Sequence, residues 1–204
     1  MADDLGWDEA AAVVRGTKRR ATKAARIGEW IEQLRGIPVI TVVDQKTHER
    51  RRVVVWVRTD EDAATLESST SEIADHVVDG ERGHWLRPDP ERPFVITKSF
   101  EAAARDVVTR QLGVDGHRAI EKLIDDHALA ELVVFFQWVI FFVHTDAQKA
   151  ALADTAREWE QVVLDYLSRY DEFGVLTKES FRFTLDSKET LDRDYEGSTY
   201  YYLK

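Results

Sequence analysis

Residues 132–143 run Leu-Val-Val-Phe-Phe-Gln-Trp-Val-Ile-Phe-Phe-Val, apolar at every position except Gln137. Where this run is buried decides much of the fold. A membrane-spanning helix needs about 20 apolar residues. Here His127 and Glu131 close the run on one side, and His144 and Asp146 on the other. It is therefore expected to be core, with no membrane partner. Its β-branched and aromatic content favours one central strand buried on both faces. The helical alternative stays open at this point, because Asp126, Gln137 and His144 would then share one side.

The flanking segments set the fold class. Residues 8–35 read as one helix, with Val13, Val14, Ala21, Ala24, Gly28 and Ile31 recurring at three- and four-residue steps. Gly36 followed by Pro38 stops it. Two β-branched runs, 39–43 and 53–57, predict a hairpin. A helix is expected over 60–78, a short strand at 94–97, a helix capped by Ser99 to about residue 112 and another over 117–127. Thr145 and Gln148 have capping-box spacing and open a long helix to about residue 170. Strands are expected at 181–185 and 199–203. No internal repeat is apparent. The sum is α+β, a mixed or antiparallel sheet covered by helices, with an N-terminal helix and β-hairpin. The glycines and prolines of 80–93 suggest an N-terminal unit over 1–86, a connector at 87–93 and a second unit over 94–204, unless all form one continuous domain.

Charge is sorted along the chain. Residues 14–58 hold 12 Lys/Arg against 4 Asp/Glu, a local +8 in a chain of net −10, which leaves −18 elsewhere. Arg15, Arg19, Lys23 and Arg26 would line one side of the first helix, with Arg50, Arg51 and Arg52 opening the second strand. Such a set could meet a polyanion or a protein partner. Equally, it could pair with the chain's own carboxylates. In the irregular segment Arg82, His84 and Arg87 could line a site and form a second, looser candidate.

Specific chemistry is scarce. Zero cysteines exclude a disulfide scaffold, a thiolate metal site and a cysteine nucleophile. There is no Gly-x-Ser-x-Gly, Gly-x-Gly-x-x-Gly or Walker motif. Residues 192–197 imitate half an EF-hand, but the twelfth position, which needs a Glu, is Leu203. His117, Asp125, Asp126 and His127 lack metal-ligand spacing. No metal and no cofactor is expected, and catalytic residues are not identifiable. The N-terminus has no signal-peptide pattern. The leading expectation is a non-enzymatic, cytoplasmic protein-binding module, such as a small acidic inhibitor, adaptor or immunity-type protein. A nucleic-acid-associated protein using the basic helix and hairpin is the first alternative. An enzyme with a site near 80–93 is the second.

Overall fold

A computed structural model describes residues 5–46, 50–80, 91–124, 127–135 and 137–204. The chain is α+β and divides into two compact units, Met1–Ala103 and Ala104–Lys204. The first unit contains α1 (Trp7–Val14), α2 (Thr22–Arg35), β1 (Val39–Lys46), β2 (Arg51–Val57), α3 (Asp60–Glu67), α4 (Thr70–Asp79) and β3 (Phe94–Ser99). Helix α5 (Phe100–Thr109) begins in the first unit and ends in the second. There α6 (Val114–Ile124), β4 (Leu129–Phe135), β5 (Trp138–Val143), α7 (Asp146–Ala151), α8 (Thr155–Ser168), β6 (Arg182–Ser187), α9 (Lys188–Tyr195) and α10 (Thr199–Tyr202) follow.

Each unit has one three-stranded mixed sheet, ordered β1-β2-β3 or β4-β5-β6. In both, the first two strands are antiparallel and the last two parallel. The middle strand is buried on both faces, which explains the unbroken apolar runs of β2 and β5. Val53, Val55 and Val57 face a core with Ile27 and Ile31 of α2 and Ile73 and Val77 of α4. On the other face, Trp7 lies 6.0 Å from Trp56 and 5.0 Å from Phe100, ring centroid to centroid. In the second unit Val139, Phe141 and Val143 pack on Ile120 of α6 and on Trp159, Val163 and Leu167 of α8. Ile140 and Phe142 turn to Leu191, Tyr195 and Tyr202.

The second unit repeats the first, contrary to the expectation of no repeat. The order helix, hairpin, two helices, parallel strand, helix occurs twice. The register recurs as well. Both hairpins shift register at one place, between Val39 and Thr41 and between Leu129 and Glu131. Both parallel ladders span six pairs, Arg52↔Phe94 to Val57↔Ser99 and Trp138↔Arg182 to Val143↔Ser187. Capping boxes follow both middle strands, at Thr59 with Asp62 and at Thr145 with Gln148. Ser99 and Ser187 each accept a hydrogen bond from the amide three residues on.

Several expectations need correction. Residues 132–135 and 138–143 are strand, not helix, but they are the two arms of a hairpin, with Phe135 paired to Trp138, rather than one strand. The predicted helix over 8–35 is two helices, because Gly16 takes φ +73° just after α1. The helices expected over 60–78 and 145–170 also divide, near Ser69 and Leu152, without glycine or proline. Residues 199–202 are helical, as Ser198 caps the turn by accepting from the Tyr201 amide. The two compact units divide after β3, which is laddered to β2.

Truncating Phe141, 1% exposed, opens a cavity against Trp159 and Phe183. Phe141→Ala should cost about 3–5 kcal/mol of unfolding free energy, read by chemical denaturation. A loss below about 1 kcal/mol would place Phe141 outside a packed core.

Candidate functional site

The seven basic candidates do not form one continuous stripe. Arg15 caps the end of α1 and Arg19 lies in the link before α2, while Lys23 and Arg26 are on α2 itself. Arg50 precedes β2, which starts with Arg51 and Arg52. Lys23 and Arg51 converge on one carboxylate. Arg51 Nε and Nη2 donate to Asp44 Oδ1 and Oδ2 at 2.9 and 2.6 Å, and Lys23 Nζ reaches Oδ2 at 2.9 Å. The Arg51 side chain is only 9% exposed, so this pair is structural. Arg20, which was not singled out in the sequence, turns inward to Glu32 and to the Val39 carbonyl. Burial pulls the Asp44 pKa up, but hydrogen bonds and charge from Arg51 and Lys23 outweigh it and hold the group below its ordinary value. Arg82, His84 and Arg87 lie outside the described residues.

The residues that recur between units sit at the carboxyl ends of the parallel pairs, where open α/β sheets place many sites. Here they are occupied with each other. Arg58 Nε donates to Glu101 at 2.8 Å, and the Glu101 amide donates to the Arg58 carbonyl at 3.2 Å. In the second unit the Asp146 amide donates to Glu189 at 2.7 Å. Asp146 also accepts from the Ser187 hydroxyl, from Arg193 at 2.8 Å and from Thr190 at 2.8 Å. These bonds, Ser187's first, hold its carboxyl well below the usual range. Ser187 is fully buried. Its neighbour Asp186 accepts from Lys149 and Tyr202 at 2.8 and 2.7 Å. A hydroxyl sealed in this way is a turn clamp, not a nucleophile, which needs an accessible oxygen and an adjacent base.

The opposite ends of the parallel pairs carry open clefts at equivalent positions. The first, about 390 Å³, is lined by Arg50, Arg51, Glu91, Arg92, Pro93 and Phe94. Arg92 there is committed to Asp75 at 2.8 Å and Ser71 at 2.7 Å. The second, about 440 Å³, includes Phe135, Gln137, Trp138, Glu179 and Arg182. The Arg182 guanidinium stacks 4.2 Å over the Trp138 ring. That ring is fixed by its Nε1–H, which donates to Thr184 Oγ1 at 2.9 Å, and by Tyr202 at 5.8 Å. Glu179 is held by its own backbone amide and by Thr177, which lower its pKa. Nothing in the sequence joined Trp138 to Arg182, which are 44 positions apart and meet only through the parallel register.

Asp192 and Asp194 belong to α9 and Glu196 caps it in a left-handed conformation, so 192–197 is not a loop. Among the described residues no group of three or more His, Asp or Glu has metal-site geometry, and no helix is long and apolar enough to cross a membrane. No protein-family model and no curated protein matches this chain. A solved structure described as "Crystal structure of APE1850" is similar at 13% identity, covering 81% of this chain and 99% of that chain with a TM-score of 0.24. A score that low carries no argument.

Removing the Asp44 charge takes a two-pronged carboxylate partner from Arg51, which sits in a nearly buried position. Asp44→Asn should cost about 1–3 kcal/mol, less than a fully buried pair because Asp44 keeps some solvent contact. A carboxyl with a depressed folded pKa contributes stability above its unfolded pKa and loses it as pH falls through the folded one. The difference between wild type and Asp44→Asn in chemical denaturation should therefore be full at neutral pH and shrink under acid conditions. A difference independent of pH would contradict the ion-pair account.

Proposed function

We propose that this chain is a non-enzymatic protein-binding module acting in the cytoplasm, with another protein as its partner. The observation that carries the reading is the cleft of Phe135, Trp138 and Arg182. Trp and Arg are the side chains that most often dominate protein interfaces, because each offers a large, stiff contact surface. Phe135, at 44% exposed, adds apolar area beside them. A cytoplasmic setting accords with a chain lacking cysteine.

The catalytic alternative has less support. The most connected polar cluster, around Asp146 and Ser187, is internally satisfied, and its hydroxyl is buried. A nucleic-acid role also draws on less, since Lys23 and Arg51 neutralise Asp44 instead of facing outward as a pair. The −18 carried outside residues 14–58 opposes a polyanion over the rest of the surface.

Photo-crosslinking in cells from a benzoylphenylalanine placed at position 135 tests the reading. The expected product is a defined protein adduct whose purified partner binds the unmodified chain. Trp138→Ala should weaken that binding by at least about tenfold, the effect of losing roughly 1.4 kcal/mol at an interface anchor. Adducts with nucleic acid alone, or binding indifferent to Trp138, would overturn it.

A further inference from the structure

We infer that the Trp138–Arg182 cleft takes an extended, carboxylate-bearing segment of the partner protein, laid along the free edge of β6; this rests on the protein-binding reading and names the chemistry of the partner. Three observations converge. Arg182 is exposed, and among the described residues no carboxylate pairs with its guanidinium. Most other arginines of the two clefts differ in this respect: Arg51 is committed to Asp44 and Arg92 to Asp75. The guanidinium carbon lies 4.2 Å from the centroid of an indole that is itself pinned by Thr184 and Tyr202, which limits how far the fork can wander. That fork matches a planar carboxylate.

Glu179, the acid of the same cleft, forms no ion pair with Arg182 among the described residues, and its own amide and Thr177 hold its pKa down. Its equivalent two-strand position in the first unit is Glu91, and the Arg52↔Phe94 pair corresponds to Trp138↔Arg182 with cation and aromatic exchanged. The cation–aromatic combination is thus kept at this end of both parallel ladders, although the residues trade places.

The backbone supplies the second half of the recognition. Strand β6 is hydrogen-bonded to β5 on one side and, among the described residues, is the edge of its sheet. An unpaired edge is a template for an added strand, whose main-chain bonds give affinity while side-chain contacts give selectivity. A segment paired along Arg182 to Thr184 places alternate side chains beside Arg182, on the face that carries its guanidinium. The chain's overall negative charge does not forbid an acidic segment, since beyond a screening length of about 8 Å at physiological salt the nearby guanidinium dominates.

The test is a nuclear magnetic resonance titration of the full chain, following the Trp138 indole Nε1–H and the Arg182–Thr184 amides. The probes are acetyl-Val-Glu-Val-Glu-Val-amide, the same peptide with lysine for glutamate, and sodium acetate. The acidic peptide should move these signals saturably with a Kd of about 1 mM, the range open to a short strand with one anchored ion pair. Arg182→Gln should weaken it at least about tenfold and Arg182→Lys by a smaller factor, since lysine keeps the charge but not the fork. Arg157→Gln, at an exposed position of α8, should leave it unchanged. Equal binding of the lysine peptide, an equal response to acetate alone, indifference to Arg182→Gln or absence of saturable shifts would each overturn the inference. Partner capture through position 135 together with any of these results would leave the protein-binding reading standing and discard the acidic segment.

Discussion

A parallel strand pair cannot be closed by a tight turn, and each unit of this protein is built around one. The chain must leave the middle strand, cross over and return to start the last strand in the same direction. Here the crossover is a pair of helices, α3–α4 or α7–α8. With only three strands, neither sheet covers its own faces. The second crossover helix, with the helix before the hairpin, covers one face, and helices outside that core cover the other. In the first unit Trp7 of α1 and Phe100 of α5 fill that role; in the second, Leu191, Tyr195 and Tyr202 of α9 and α10 do. The two ends of each parallel ladder then differ in kind. At the carboxyl end the crossover and the final helix both begin, and capping residues satisfy their amides. At the amino end no helix begins on the ladder, and a cleft remains.

This difference separates recurring residues from functional candidates. Val57, Thr59 and Asp60 recur as Val143, Thr145 and Asp146, and Ser99, Glu101, Arg105 and Asp106 recur as Ser187, Glu189, Arg193 and Asp194. Their recurrence follows from geometry: Thr and Ser cap helices, and Glu ties one turn to the other. At the far end, the register pairs Arg52 with Phe94 and Trp138 with Arg182, so a cation and an aromatic stand opposite each other in both ladders but on exchanged strands.

Strong local signals were legible in the sequence. The β-branched runs gave β1 and β2, Gly36 ended α2, and the Thr145 box opened α7. The Leu132–Val143 run was identifiable as strand, but not as two strands, because Gln137 and its neighbours are not turn formers and the hairpin is imposed by the ladder. Gly16 did mark a break, though the apolar periodicity ran through it. The divisions at Ser69 and Leu152 have no glycine or proline, since packing against the sheets sets them. The duplication leaves only two short echoes in the sequence, spaced by 86 and 88 residues, and the crossovers between them are of unequal length, so no single spacing aligns the units. The Arg51–Asp44 pair and the Trp138–Arg182 stack depend on strand register, which composition and periodicity do not report.

Cross-strand nuclear Overhauser effects test the duplicated architecture most directly. The account predicts two matching sets: contacts of Val42 with Val55 and Val54 with Ile96, and of Leu132 with Phe141 and Ile140 with Thr184, with register shifts between Val39 and Thr41 and between Leu129 and Glu131. Sequential helical contacts through 132–143, or a β5–β6 register offset from that of β2–β3, would contradict it.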